Sequence, residues 1–219
     1  DPASPWEDEQ ERLSQALERR VAQGERIERI FLTHHHVDHV SGAVALQSAW
    51  RGISDIPIAA HPETQRLLEG VVPVNELVHG DTQVHWGTLD FDVFHTPGHA
   101  PGHLVLQDRA TRTMVAGDMI AGIGTIAIGP ADGHLGQYLD SLAFMRTRQP
   151  SALLPAHGPV QHAADEVLAY YIAHRHQRTS QIFAALETLG QCAPDDIVPV
   201  VYPDLPEALH FLAAAQILS

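Results

Sequence analysis

The sequence predicts a mixed α/β fold, in which short strands and helices alternate along the chain. Three observations support this prediction. Apolar and polar residues alternate over Leu89–His95, which is typical of a half-buried strand. Apolar residues recur at helical spacing over residues 6–23 and again over Ala163–Leu189. Histidine or aspartate directly follows several predicted strands, and functional residues commonly lie on the loops that begin there.

The first half of the chain begins with a predicted helix and then alternates strands with short helices. Acidic residues in its first turn favour the helix over residues 6–23, because a helix N-terminus carries partial positive charge. Val40–Trp50 is small and apolar and predicts a buried helix, and another helix begins near Pro62, because proline is favoured in the first turn. Between these helices, strands are predicted at Ile27–Thr33 and Ile56–Ala60.

The second half adds strands and two longer helices. After Leu89–His95, strands are predicted at three short apolar segments, His103–Gln107, Thr113–Ala116 and Ser151–Leu154. A helix is predicted over Tyr138–Arg146, and the long helix Ala163–Leu189 ends at Gly190. Two short helical segments follow. We therefore predict a domain over residues 1–162 and a helical appendage over residues 163–219.

The composition excludes several classes of protein. The 13 basic residues, all arginine, are outnumbered by 27 acidic ones, and the net charge of −14 disfavours non-specific nucleic-acid binding, which depends on neutralising phosphates. The single cysteine, Cys192, excludes an intramolecular disulfide and a cysteine-rich zinc module. The longest apolar region, Met114–Ile128, contains Asp118 and predicts no membrane span. No signal peptide is visible, so we expect a cytoplasmic protein without a membrane partner.

Histidine is unusually frequent, at 16 of 219 residues, and the densest cluster is His34-x-His36-x-Asp38-His39. Residues two apart on an extended segment point the same way, so His34 and His36 can share one ligand, whereas His35 points away. Asp38 and His39 lie where the chain turns into a helix, so they reach a neighbouring point. A polar, histidine-rich loop would show the same local pattern, and this segment alone leaves both interpretations open.

Three further segments place histidine or aspartate after predicted strands. A Gly/Pro-rich turn carries His99 and His103, while Asp118 and His157 each follow a short strand. Any one of these segments alone is a weak signal. The four segments in this order resemble the metallo-β-lactamase superfamily, and the resemblance covers nearly the whole chain.

The resemblance implies an α+β fold, a four-layer αββα sandwich, that carries a dinuclear zinc site with two Zn²⁺ per chain. Carried over residue by residue, it implies one zinc held by His34, His36 and His103. It implies a second zinc held by Asp38, His39 and His157, with Asp118 bridging the two ions. His99 is left with a supporting role beside a ligand.

The resemblance also implies that the chain is incomplete at both ends. The family fold opens with a β-hairpin that we expect upstream of Asp1, so the first sheet should lack strands. The segment after residue 163 is similar to the winged-helix-like tail of lactamase-β-like endoribonucleases, and such tails continue beyond Ser219.

The implied activity is that of a zinc-dependent hydrolase, in which a metal-bridged hydroxide attacks an ester, thioester or phosphodiester while Asp38 orients it. Two substrates stay open: a small ester or thioester, as in glyoxalase II-like thioesterases, or single-stranded RNA, as in the endoribonucleases. The tail favours RNA and the net charge disfavours it. Arg175 and Arg178 could contact phosphates, although a solvated helix face explains them more simply. A non-enzymatic metal-binding module is the remaining alternative, and the sequence does not indicate an oligomeric state.

Overall fold

The computed structural model describes residues 1–51 and 56–218, so Ser219, the last residue of the predicted appendage, lies outside the described residues. Two β-sheets lie between two layers of helices, which confirms the predicted α+β class. No helix in the described ranges is long and apolar enough to cross a bilayer.

The first sheet has three short parallel strands, β1 (Ile30–Phe31), β2 (Ile58–Ala60) and β3 (Glu76–Leu77), in that order. Helices fill the connections, because parallel strands need crossovers. These helices and the one that precedes β1 are α1 (Glu7–Ala22), α2 (Val37–Val40), α3 (Ala43–Trp50) and α4 (Pro62–Leu67). The apolar pattern predicted β1 and β2, but two-residue β3 carries too little periodicity to be predicted.

The second sheet has five strands in sequence order, β4 (Thr82–Trp86), β5 (Leu89–His95), β6 (Leu104–Asp108), β7 (Thr113–Gly117) and β8 (Ala152–Pro155). The strands β4 to β7 pair antiparallel, and β8 pairs parallel to β7. The crossover between these last two strands contains α5 (Leu135–Thr147). The predicted strand positions are correct to within one residue at most ends, whereas β4 was not predicted.

Three hydrophobic clusters give the fold its layers. One packs strands of the first sheet, through residues such as Ile58, against α1, α3 and α4. Another lies between the two sheets, where Ala59 meets Val93 and Leu104. The third packs the outer face of the second sheet against α5 and the following helix, around Leu153. The order helix, sheet, sheet, helix is the predicted αββα sandwich.

The C-terminal segment is helical, with α6 (Ala164–Leu189), α7 (Pro194–Val201), a 3-10 turn (Glu207–Leu209) and α8 (His210–Ile217). The first half of α6 packs into the third cluster through Leu168 and Tyr171. The second half packs with α7 and α8 in two small clusters of its own. The boundary at residue 163 stays a prediction, because α6 begins there but belongs to both parts.

We predict that Gly98→Ala destabilises the protein far more than Gly24→Ala. Both glycines have positive φ, +126° and +92°, so both substitutions carry a backbone strain of roughly 1–3 kcal/mol. A Cβ at Gly98 would also lie 2.1 Å from the backbone nitrogen of Tyr138 in α5, whereas a Cβ at Gly24 would have no atom within 4 Å. Thermal unfolding of the two variants measures the difference, and equal losses would contradict close docking of α5 on this loop.

Candidate metal centre

Seven side chains able to bind a metal reach one point from the ends of four strands. The segment after β1 supplies His34 and His36, and short helix α2 carries Asp38 and His39. The loops after β5, β7 and β8 supply the remaining ring or carboxylate groups, His99, Asp118 and His157. Strand ends suit this purpose because the sheets hold their backbones rigidly while the side chains project beyond the hydrogen-bonded ladder.

The first group contains three imidazole nitrogens that face one another. The distances are 2.9 Å from His34 Nε2 to His36 Nδ1, 3.2 Å from His99 Nε2 to His34 Nε2, and 2.9 Å from His99 Nε2 to His36 Nδ1. His34 and His99 are buried, and the His36 side chain is 29% exposed. Three nitrogens of this kind around one point form a cation site open on one side.

The second group contains His39, His157, Asp38 and a shared carboxylate. His157 Nε2 lies 3.3 Å from Asp38 Oδ2 and 3.7 Å from Asp118 Oδ1. His39 Nε2 lies 3.5 Å from the same Asp118 oxygen. The second oxygen of Asp118 lies 3.5 Å from His99 Nε2 in the first group. Asp118 therefore faces both groups, as the sequence predicted for a bridging ligand.

In four of the five imidazoles of these groups, the outer nitrogen donates to a fixed acceptor. His34 Nδ1 donates to the Thr33 hydroxyl, His39 Nδ1 to the Asp1 carboxylate, and His99 Nδ1 to the carbonyl of Ala127. His36 donates from Nε2 to Asp132, 3.0 Å away. With the outer nitrogen protonated, the inner nitrogen of each neutral ring carries a lone pair. Four lone pairs thus point toward the centre.

Two buried atoms of the centre have no hydrogen-bond partner among the described residues, His39 Nε2 and Asp118 Oδ1. An unpaired acceptor in a buried position is costly, and the neighbouring acceptors cannot satisfy it. A cation would satisfy both atoms at once. The donor set of imidazole nitrogens and carboxylate oxygens, without thiolate, fits zinc. The residues present therefore fit a metal pair.

The structure places His99, and not His103, beside His34 and His36. The prediction grouped His103 with His34 and His36, but His99 occupies that place, and His103 is in none of the candidate metal groups of the described residues. Both ring nitrogens of His103 are in use: Nδ1 bonds the Thr96 hydroxyl at 3.0 Å, and Nε2 accepts from the backbone N–H of Asp118 at 3.1 Å. Its lone pair positions the bridging carboxylate and is not available to a metal.

The sequence could not distinguish the two histidines of the turn, because both follow glycine in the repeated pattern Pro-Gly-His. The positive φ of Gly98 turns the next residue inward, so His99 reaches the centre. His103 lies directly before β6 and is fully buried. Gly117 completes this arrangement, because a Cβ there would lie 2.6 Å from His103 Nε2.

Burial keeps two histidines of the centre neutral. Burial and the neighbouring histidines lower the pKa of His34 well below its usual range, and burial lowers the pKa of His99 to about 4. Burial acts to raise the pKa of Asp118, but the electrostatic attraction of His39, His99 and His157 outweighs it and lowers that pKa. At neutral pH the centre thus presents neutral imidazoles at His34 and His99 and a charged carboxylate at Asp118, the forms that bind metal.

The predicted phosphate contacts of the C-terminal segment are not supported by the structure. Arg175 is 5% exposed and donates to the carbonyl of Ile126. Arg178 donates to Gln181 and to the carbonyl of Val201. Neither arginine forms the solvated helix face that the composition favoured, because Arg175 ties a loop to α6 and Arg178 ties the end of α7 to it.

Comparisons with known proteins agree with this geometry. A family model described as the metallo-beta-lactamase superfamily matches residues 1–157. The chain belongs to the metallo-β-lactamase superfamily. It is 30% identical over 198 residues to the "Beta-lactamase-like protein 2 homolog" of Drosophila melanogaster, with 87% of this chain and 66% of that protein covered. It is 32% identical over 127 residues to the "Hydroxyacylglutathione hydrolase" of Bdellovibrio bacteriovorus, with 57% and 46% covered.

A solved structure has the same fold across the whole chain. The beta-lactamase domain protein from Burkholderia ambifaria superposes with a TM-score of 0.82 at 20% identity, covering 99% of this chain and 73% of that one. At this identity the likeness shows the fold alone. The chain spans just under two thirds of the Drosophila relative and about half of the Bdellovibrio one.

We predict that His99→Ala mainly lowers the metal content of the protein, whereas His103→Ala mainly lowers the stability of the metal-free protein. His99→Ala should lose bound metal, because it removes one of three converging nitrogens, and the metal-free protein should lose less stability than in His103→Ala, because only the Ala127 carbonyl is left unpaired. His103→Ala should destabilise the metal-free protein by about 1–3 kcal/mol for each partner left unpaired, the Asp118 N–H and the Thr96 hydroxyl.

Elemental analysis of protein purified without chelator, and unfolding of chelator-treated protein, measure the two effects separately. Metal loss without destabilisation in His103→Ala, together with full metal content in His99→Ala, would restore the original assignment.

Proposed function

We propose that this chain is a dinuclear zinc-dependent hydrolase that cleaves a small ester or thioester. The observation that carries the proposal is the convergence of six metal-binding side chains around one bridging carboxylate, Asp118. One zinc would be held by His34, His36 and His99, and the other by Asp38, His39 and His157. When bound, the metal pair supplies a water of lowered pKa and positive charge at the attacked oxygen.

The protein's own residues divide into a buried half and an open half. His34, His39 and Asp118 are at most 6% exposed, so they fix geometry and exclude water. The side chains of Asp38 and His157 are 56% and 49% exposed, so the centre opens to solvent on their side. A substrate would enter there, next to the Asp38 carboxylate.

Asp38 is the group best placed to move a proton. Its Oδ2 lies 3.3 Å from His157 Nε2, and the other side of the carboxylate faces the opening. A carboxylate there accepts a hydrogen bond from the attacking water and orients its lone pair. It then takes up the proton and returns it to the leaving oxygen or sulfur, which completes hydrolysis without a further acid.

The surroundings of the opening favour an acyl substrate over RNA. Val37, between His36 and Asp38 in sequence, is 73% exposed. Ile123 is 82% exposed and follows Gly122, whose N–H donates to the carbonyl of His157. Apolar side chains beside the opening suit an acyl chain, whereas RNA would need basic side chains in a protein with a net charge of −14. The relative with an acyl substrate in its name supports the same choice.

A hydrolysis panel on zinc-loaded protein tests the proposal. The panel contains thioesters, lactones, β-lactams, bis-p-nitrophenyl phosphate and short single-stranded RNA. We expect turnover of a thioester or lactone, with little of the phosphodiesters. Cleavage of RNA with no ester turnover would overturn the acyl assignment, and inactivity on every substrate would count against the enzyme itself.

We predict that Asp38→Asn lowers kcat/KM on the best panel substrate by about 10²–10⁴-fold, because the amide cannot accept the proton. The amide oxygen still faces the second group, so zinc content at excess zinc should stay near that of the wild type. Asp140→Asn, an exposed carboxylate on α5, is the control and should change activity less than about threefold. Wild-type rates in Asp38→Asn would show that another group handles the proton.

A further inference from the structure

Asp132 makes a shared contact with two histidines of the metal-binding segment. Its Oδ2 lies 2.9 Å from His35 Nε2 and 3.0 Å from His36 Nε2. The carboxylate is 24% exposed and the two imidazoles are 16% and 29% exposed, so the contact is largely shielded from water. Asp132 lies near the far end of the loop between β7 and α5, the loop that begins with Asp118.

The contact fixes the tautomer of His36. A carboxylate only accepts, so each histidine carries its proton on Nε2 where it meets Asp132. His36 Nδ1 is then left with a lone pair, and Nδ1 is the atom that lies 2.9 Å from both His34 Nε2 and His99 Nε2. A flip of the His36 imidazole about its Cβ–Cγ bond would break the hydrogen bond to Asp132 and turn this lone pair away from the group.

His35 holds the carboxylate in place from the other side. His35 lies outside the group formed by His34, His36 and His99, and its contact with Asp132 leaves Nδ1 buried without a partner in the described part of the chain. Two donors on one oxygen restrict the carboxylate more than one donor would. The loop therefore presents a fixed acceptor to His36.

The same loop also orients a second imidazole of the first group. The carbonyl of Ala127 accepts from His99 Nδ1 at 2.9 Å. Of the three rings of the first group, two thus take their orientation from residues 127–132, whereas the rings of the second group have no hydrogen bond to this loop among the described residues. A substitution that disturbs residues 127–132 should therefore weaken metal binding at the first position selectively.

We propose that Asp132 is a positioning residue for the first metal position, acting through His36, with His35 as the second donor that fixes its carboxylate. The proposal rests on the proposed function only in requiring that the centre binds metal. Loss of a hydrogen-bond partner behind a metal-bound histidine typically costs about 10–100-fold in metal affinity. We therefore expect Asp132→Asn to weaken binding of one zinc by about that factor and to leave the other unchanged.

The amide is the informative change because it nearly keeps the shape of the carboxylate. Its oxygen can take the place of Oδ2 and accept from both histidines, but it carries no charge, so both hydrogen bonds weaken. Asp132→Glu keeps the charge and the acceptors on a longer side chain, so affinity should recover in part. Asp140→Asn removes a carboxylate from the exposed face of α5 and is the matched control.

The experiment titrates zinc into the chelator-stripped chain in competition with a chromophoric chelator. A parallel titration with Co²⁺ records the visible absorption of each metal position. The melting temperature of each stripped variant is measured first, because a folding defect would also lower affinity. The expected result is one weakened position in Asp132→Asn, partial recovery in Asp132→Glu, no change in Asp140→Asn, and similar melting temperatures throughout.

Two results would overturn the proposal. Wild-type affinity at both positions in Asp132→Asn would show that His36 does not need a charged acceptor. Equal weakening of both positions, together with a lower melting temperature of the stripped protein, would show that Asp132 only holds the loop. Should Asp132→Asn fail to fold, Asp132→Glu decides: an affinity equal to that of the wild type at both positions, or equal weakening of both, counts against positioning.

The outcome is separable from the hydrolase proposal. If Asp132→Asn weakens zinc binding at one position only, and the wild type turns over no panel substrate, the proposed activity is contradicted but the positioning role of Asp132 is supported. A wild-type chain that binds no zinc would overturn both.

Discussion

The candidate metal centre depends on one constraint: four of its five imidazoles are each held by a hydrogen bond on the far side of the ring. Thr33, Asp1, Asp132 and Ala127 accept these bonds from His34, His39, His36 and His99. Each acceptor fixes both the ring orientation and the tautomer, so the inner nitrogen of the neutral ring carries a lone pair. Lone pairs that face one another in a buried space repel and find no donor. The arrangement is favourable only with a cation between them.

The sandwich fold supplies the rigidity that this constraint needs. Every acceptor and ligand lies just beyond a strand or on a loop tied to one, and each strand is anchored in a buried cluster. Tyr171 in α6 extends this support, because its hydroxyl bonds the backbone of Ala121 and Gly124 in the loop that leads to Ala127. The first half of α6 is therefore part of the support of the centre, wherever a domain boundary is drawn.

The order of the elements, the sandwich class and most of the metal-binding side chains could be predicted from the sequence. Strands with clean alternation, such as Leu89–His95, and the motif from His34 to His39 carry strong local signals. The choice between His99 and His103 could not be predicted, because it depends on the turn at Gly98 and on a backbone N–H that no pattern reveals.

The residues that accept hydrogen bonds from the histidines could not be predicted from the sequence, for a related reason. Asp132 lies 96 residues after His36, and its loop has no periodicity. Asp1 lies 38 residues before His39, at a position where no motif was expected. Contacts of this kind exist only after the two sheets have packed, so local sequence carries no record of them. Arg175 shows the reverse case, since a charged residue on a helix predicts solvent but the fold buries it.

The contrast between the two halves of the centre explains how one site can be both rigid and reactive. Burial lowers the pKa values of His34 and His99, so those rings stay neutral and bind cations across the physiological range of pH. The electrostatic effect of His39 keeps the pKa of Asp118 low despite burial, so the bridge stays charged. Asp38 alone among the carboxylates of the centre is more than half exposed, so it can exchange a proton with a bound substrate. In the proposed hydrolase, metal binding and proton transfer would thus fall to different residues, so the open side could fit a substrate without weakening the binding of the metal pair.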